Sequence, residues 1–180
     1  MTPATPPSAI VAPATPTPTP VPASAPASVP RDAALNVLFF EALGSGLLYS
    51  INYERFFPRW NVGLRGGASF IAYKVSDANG SGALELASLP FVASWYYGPG
   101  AHRLQLGLGF TILYVKASTD ATGASYGGSV PSLGIAATAV VGYRYWPRHG
   151  GFTFGAGFTP LLREPKGLLP WGGADVGWAF

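Results

Sequence analysis

The sequence predicts an all-β protein, an eight-stranded antiparallel up-and-down transmembrane β-barrel preceded by a disordered Pro-rich N-terminal arm. Three observations point there. Large apolar residues recur with a period of two along most of the chain, not 3.6. The 180 residues are 48% hydrophobic and 11% charged, against roughly 25% charged in an ordinary soluble domain. Yet no window reaches the ~18 consecutive apolar residues of a spanning helix. Finally, aromatic residues gather at the ends of the alternating segments, where a membrane barrel places its interfacial girdles.

The arm comes first. Ten of the 18 prolines lie between Pro3 and Pro30, in a Pro/Ala/Thr/Ser stretch with no charge before Arg31. Its sizeable aliphatics are only Ile10, Val11, Val21 and Val29, too little apolar surface to offset the entropy of ordering. The run Thr15-Pro16-Thr17-Pro18-Thr19-Pro20 favours polyproline II, a semi-rigid spacer. Residues 1–31 are therefore expected to be a linker, and 32–180 the barrel domain. The arm lacks the basic segment and unbroken apolar core of a secretory leader. A barrel destined for an outer membrane needs one, so the sequence is expected to be a mature or trimmed form, or to begin at a start site placed too late.

The strands follow in order. Asn36–Leu43 is apolar overall. In Leu47–Arg55, Leu47, Tyr49, Ile51 and Tyr53 oppose Ser50, Asn52 and Glu54. In Asn61–Lys74, Val62, Leu64, Ala68 and Phe70 oppose Gly63, Arg65, Gly67 and Ser69. Leu89–Tyr97 is again mostly apolar. The clearest segment sets Leu104, Leu106, Leu108, Phe110, Ile112 and Tyr114 against Arg103, Gln105, Gly107, Gly109 and Thr111. Ile135–Tyr145 and Gly151–Leu162 repeat the split, with Val141, Tyr143, Phe152, Phe154 and Phe158 on the apolar side. The last strand carries Val176, Trp178 and Phe180 on one face.

In a soluble barrel the large residues would point inward and the polar face would meet water. That water-facing surface would be mostly Gly, Ser and Thr, and poor in Lys and Glu. In a membrane barrel the faces are inverted, and small residues fit a lumen only wide enough for side chains. Tyr53, Phe56, Trp60, Trp95, Tyr97, Tyr143, Tyr145, Trp146, Trp178 and Phe180 are expected to form the girdles. The membrane reading is preferred.

Connections set the orientation. Phe57–Trp60, Gly98–His102 and Pro147–Gly150 are short, whereas Ser76–Glu85 and Ser118–Ser132 read as long loops rich in Gly, Ser and Asp. Short turns are periplasmic and long loops external in outer-membrane barrels. Both termini and the arm are then periplasmic. Gly44-Ser45-Gly46 reads as an unusually tight external turn.

Several runs resemble a known family. They are Glu41-Ala42-Leu43-Gly44-Ser45-Gly46-Leu47-Leu48-Tyr49-Ser50-Ile51-Asn52-Tyr53-Glu54, Gly142-Tyr143-Arg144-Tyr145-Trp146-Pro147, Gly150–Pro160 and Pro170-Trp171-Gly172-Gly173. Together, over about residues 36–180, they resemble small outer-membrane β-barrel proteins abundant in Bacteroidetes-like bacteria. The resemblance implies the fold and location but no settled activity. It also implies that Val176, Trp178 and Phe180 form the signal read by the barrel-assembly machinery. The chain departs from the family at Gly155, where members often carry Arg, and at Asp175, where they carry a small uncharged residue.

Chemistry-bearing residues are few. Glu41, Glu54, Arg65, Arg103, Arg144 and Asp175 fall on the lumen face, where an unpaired charge costs several kcal/mol. A mutually neutralising ladder is expected, with an ion path or an acid/base site as alternatives. The number of charges is balanced, which suits a plug better than an ion-selective pore. Nucleophilic catalysis of the kind used by lipid A deacylases needs Ser, His and an acid near the outer leaflet. His102 and His149 both fall in the short turns at the other end. No catalytic residue, metal site or cofactor is expected, since there is no Cys and no ligand spacing. Gly44-Ser45-Gly46, Gly107-Leu108-Gly109 and Gly155-Ala156-Gly157 open no helix and so are not phosphate loops.

The net charge is +3, but the basic residues form no stripe of the kind that binds nucleic acid. Arg55, Arg59, Arg103, Arg144 and Arg148 fall near the periplasmic rim, positioned for lipid phosphates. Lys116, Arg163 and Lys166 on the external side are candidate contacts to lipopolysaccharide phosphates. The expected partners are outer-membrane lipids, lipopolysaccharide and the assembly machinery. The leading functional reading is a non-enzymatic, plugged outer-membrane barrel with a structural, surface or anchoring role. A narrow pore for small solutes, a lipid-modifying enzyme and a soluble lipocalin-like binder are the alternatives.

Overall fold

The computed structural model describes Met1 and residues 33–77, 80–121, 128–163 and 167–180; the rest of the Pro-rich linker lies outside the described residues. The elements are β1 (Asn36–Leu43), a 3-10 turn (Gly44–Gly46), β2 (Tyr49–Phe57), β3 (Val62–Asp77), β4 (Gly80–Tyr97) and β5 (His102–Ala121). They continue with β6 (Gly128–Tyr145), β7 (Gly151–Phe158), β8 (Leu161–Arg163), β9 (Gly167–Leu169) and β10 (Gly172–Ala179). From β1 to β7 each strand pairs antiparallel with the next; β10 pairs with β7 and β1, and β8 with β6 and β9, so the sheet closes on itself.

Eight staves form the barrel, because β8 continues β7 and β9 continues β10. Val141 pairs with Phe158 and Thr138 with Leu161 in one unbroken register. Gly172 pairs with Phe158 and Leu169 with Leu161 in another. That second register sets Pro160 directly opposite Pro170. Neither has an N–H to give, so both staves lose the ladder at the same level. Thr159 N–H still donates to Trp171 O at 2.8 Å across the gap.

Following registered partners around the wall gives the stagger. The path runs from Ala179 through Val37, Glu54, Arg65, Val92, Gly109, Thr138 and Leu161, and returns to the last stave at Leu169. It arrives ten residues from its start, a shear that leaves an eight-stranded interior only wide enough for side chains.

The outer face is apolar. Leu108 is 73% exposed, Ile135 65% and Trp178 60%, with Leu38, Phe40, Ile51, Leu64, Phe91, Phe110 and Phe154 among the other exposed residues of this belt. The inverse arrangement, with large residues inward as in a soluble binder, is not the one adopted.

Three expectations need correction. Ser76–Glu85 and Ser118–Ser132 are not long loops. β3 runs to Asp77 and β4 starts at Gly80; β5 runs to Ala121 and β6 starts at Gly128. Gly- and Ser-rich composition suggested loops, but Val75↔Gly82 and Ser118↔Ser129 are ladder pairs, and main-chain pairing does not depend on side-chain type. Second, Phe56 and Trp146 are buried inside the barrel and are not girdle residues. Phe56 shares the side-chain parity of Glu54, and Trp146 that of Arg144. Third, Arg144 is fully buried and so does not reach lipid phosphates.

The walls are uneven. β1 and β2 have 8 and 9 residues, whereas β3 to β6 have 16 to 20. The short turns 58–61, 98–101 and 146–150 share one end with Asn36 and Phe180, where the first and last staves begin and finish. We call this the terminal end. At the opposite, far end the β3–β6 wall stands high and the β1–β2 hairpin stays low.

Candidate functional site: the lumen

Alternation along each stave delivers polar side chains to the interior, and the register decides which of them meet. Glu41 of β1 and Arg65 of β3 form an ion pair at 3.0 Å, both nearly inaccessible. The hydroxyls of Ser45 and Ser50 donate to Glu41 Oε2 at 3.1 and 3.2 Å. Arg65 Nη2 also donates to the Ser45 hydroxyl, and Asn52 Nδ2 donates to Ser50 Oγ at 2.7 Å.

A second cluster lies toward the terminal end. Arg144 Nη2 donates to Asp175 Oδ2 at 2.9 Å, and its Nη1 stands 3.6 Å from Glu54 Oε2. Tyr96 donates its hydroxyl to Glu54 Oε1 at 2.6 Å. Phe39 links the clusters: its ring centroid is 4.4 Å from the Arg144 guanidinium carbon and 5.6 Å from that of Arg65. Cation–π contact of this kind strengthens when desolvated. In low dielectric these pairs attract strongly, while any member left alone is costly.

Of the six expected lumen charges, five meet in these clusters: Glu41, Glu54, Arg65, Arg144 and Asp175. Arg103 does not join them. It is half-buried, and its guanidinium lies over the rings of Phe56 and Trp146, at 4.4 and 5.6 Å from their centroids. The clustered charges are thus three carboxylates and two guanidiniums, with the third cation stacked on aromatic rings. Asp175 and Gly155 are cross-strand partners, and Gly155 also pairs with Arg144. A Cβ at Gly155 would come within 2.6 Å of the Asp175 carboxylate. The missing side chain makes room for the Asp175–Arg144 pair.

Both ends of the lumen are closed. At the terminal end Phe39, Phe56, Tyr96 and Trp146 form a core with Val37, Ala34 and Ala179. The ring centroids of Phe56 and Trp146 are 5.4 Å apart, and those of Tyr96 and Trp146 are 5.8 Å apart. Trp146 Nε1 donates to Ala34 O at 3.1 Å, and Ala34 N–H to Arg148 O at 2.8 Å, drawing the residues before β1 across the opening.

At the far end the Gly44–Gly46 turn folds inward, and all three of its residues are buried. Thr111 donates to Ser45 O at 2.7 Å from the opposite wall, and Ser88 to Gly46 O at 2.9 Å. Gly44 lies so close to Gly173 that a Cβ there would stand 2.7 Å from Gly44 Cα. The fold spends strain here: Leu43 and Leu47 flank the turn with φ of 63° and 76°, a region unfavourable for a branched-chain residue. The turn's tightness was legible in the sequence; its direction was not.

Sequence reasoning missed Phe39, Tyr96 and Ser45. Phe39 and Tyr96 were discoverable, since they share parity with Glu41 and Ser94 in segments too uniformly apolar to show alternation. Both histidines are exposed at the terminal end, with His102 Nδ1 2.5 Å from the Tyr143 hydroxyl. Of the buried lumen serines, Ser45 and Ser50 donate to Glu41, Ser69 and Ser88 bond to each other and Ser88 to Gly46 O, and Ser94 accepts from Gln105 Nε2. Lys116 pairs with Glu85 at 3.9 Å on the outside of the high wall. The other residues proposed to meet lipopolysaccharide fare differently: Lys166 lies outside the described residues, as does the side chain of Arg163. Val176, Trp178 and Phe180 are exposed on the outer face of the last stave.

No protein-family model matches the chain, nor does any curated protein. Solved structures do. Ail, the attachment invasion locus protein of Yersinia pestis, aligns with a TM-score of 0.49 and 14% identity over 80% of this chain and 93% of that one. The N-terminal β-barrel domain of OprF from Pseudomonas aeruginosa aligns with a TM-score of 0.55 and 18% identity, over 82% of this chain and 99% of that one. What this chain shares with the OprF domain is the fold, a small closed antiparallel β-barrel.

Proposed function

We propose that the protein is an integral outer-membrane β-barrel of a Gram-negative bacterium, closed to solutes and non-enzymatic, with a structural or surface role. It anchors the Pro-rich arm in the periplasm. The inversion of faces carries this reading: an apolar outer belt surrounds a lumen of buried, ion-paired carboxylates and guanidiniums. Only a surrounding hydrocarbon phase makes that arrangement favourable. The two closures support a barrel that conducts nothing. A periplasmic terminal end is supported by its short turns and by the long β3–β6 hairpins that rise at the other end. Val176, Trp178 and Phe180 are then the signal for the assembly machinery, and Arg55, Arg59 and Arg148 contact phospholipid phosphates.

The test is refolding of the full chain into detergent or lipid vesicles, with heat-modifiable gel mobility and planar-bilayer recording. A folded, heat-modifiable species with no conductance above the bare bilayer is expected. A monomer that folds in plain buffer would overturn the membrane assignment, and discrete conductance steps would favour the narrow pore. Protease added to intact cells should leave the arm uncut, and cleavage there would reverse the orientation.

A further inference from the structure

The inner face changes character above the inserted turn. Below it the lumen is polar. Above it, the inward positions of the high wall include Ile71, Leu86, Leu113 and Val115, with Gly134 and Ser132 of β6 beside the last two, and those of β8 and β9 include Leu161 and Leu169. Their orientation follows from register. Ile71 pairs with Leu86 and Leu86 with Val115, two residues beyond the buried Ser69↔Ser88 pair and Leu113. Leu161 pairs with both Thr138 and Leu169, so all three share a face. Accessibility grades as an open cup requires: Leu113 and Leu161 are buried, Ile71, Leu86 and Val115 half-buried, and Leu169 exposed. The floor is the turn itself, sealed by the bonds from Ser88 and Thr111 and by Trp171, whose Nε1 donates to Leu47 O at 3.2 Å.

The cup has one low side. β5 carries six successive outward apolar residues, Leu104 to Tyr114, while β1 has only Leu38, Phe40 and Ala42. An eight-residue strand tilted by roughly 45° rises only about 19 Å, short of the ~25 Å apolar band of an outer-membrane barrel. The β1–β2 rim therefore ends inside the hydrocarbon layer if the barrel spans a membrane, the reading on which this inference rests. Its composition agrees: Leu43 and Leu48 are exposed there and the turn bears no charge. The Tyr49 hydroxyl donates to Phe70 O, covering part of the β3 edge beside the gap. Leu43 and Leu48 are thus the exposed apolar residues at the rim between the outer belt and the cup.

We propose that this cup is a binding site for one acyl chain of a bilayer lipid, which reaches it sideways over the low β1–β2 rim. Among the described side chains the lining offers mostly hydrocarbon contact, with no buried cation or anion. The sealed floor stops the chain from going further, so the site holds lipid without conducting it.

The experiment uses the full chain in phosphatidylcholine nanodiscs doped with a phospholipid bearing a diazirine in its acyl chain. Adducts are mapped by mass spectrometry after illumination. Labelling of belt residues such as Leu108 should rise in proportion to probe content. Labelling of Val115 and Leu169 should instead saturate. Val115→Trp, at a half-buried position, fills the space of about two methylenes and should cut cup labelling by about tenfold with the belt unchanged. Leu113→Gln should do the same, and heat-modifiable mobility verifies that each variant has folded. Belt adducts without cup adducts would overturn the cup while leaving the membrane reading standing. Absence of belt adducts would instead defeat the membrane reading. Cup adducts obtained only from a diazirine fatty acid added in water would overturn sideways access from the bilayer.

Discussion

The two ends of this barrel are closed by opposite means. The terminal end is filled by large rings and by charges with partners: Trp146, Phe56 and Tyr96 pack together, and Arg144 faces two carboxylates. The far end is closed by backbone, a turn of small residues pushed inward between two leucines at positive φ. One closure is a packed core whose removal leaves voids and lone charges. The other is a main-chain plug held by a few hydroxyls, with an open apolar wall above it. Stability should therefore be concentrated at the terminal end, and adaptability at the far end.

Substitutions can break that contrast. The largest effect is expected for Arg144→Met, which leaves Glu54 and Asp175 buried without their cation. Breaking such a pair costs about 3–5 kcal/mol, read as a drop in the urea midpoint for unfolding from lipid vesicles. A loss below ~1 kcal/mol would show that the charges are not what holds this end. Trp146→Ala follows, at about 3 kcal/mol for a large core side chain removed; it should also admit small ions into the terminal end, seen as noise in bilayer recordings. Ser45→Ala removes a partner from both Glu41 and Arg65, and about 1–2 kcal/mol is expected. At the bottom of the scale, Lys116→Ala deletes a half-exposed pair on the high wall and should change the midpoint by less than ~0.5 kcal/mol. Should Lys116→Ala match Arg144→Met, the division between the two ends would fail.

Much of the architecture is legible in the sequence because the barrel wall is written in period two. Leu104 to Tyr114 announce an outer face without help from any neighbour, and the same parity carries Glu54, Arg65 and Arg144 inward. Legibility fails where the deciding contact lies on another strand. Ser76 and Ser81 look like loop because their own neighbours are Asp, Asn and Gly, yet they pair with each other. Trp146 looks like a girdle residue because it ends a strand, yet its parity and the main-chain carbonyl of Ala34 place it inside. The inward fold of Gly44–Gly46 depends on Thr111 and Ser88 reaching it from walls far along the chain. Arg103 shares the parity of Gln105, but the rings that receive it come from β2 and from the turn after β6, and no local pattern shows that.

The seam between β1 and β10 bears on time as well as shape. Asn36 and Phe180 exchange main-chain hydrogen bonds at 2.9 and 2.8 Å, and Val37 to Leu43 pair with Ala179 to Gly173. Every contact of this seam joins residues made early in synthesis to residues made late. Such long-range pairing is slow, and no part of the wall can shut before its final stave emerges. The barrel therefore cannot close until its last stave is in place, and until then β1 and β7 keep unpaired edges beside an apolar face, an invitation to misassembly.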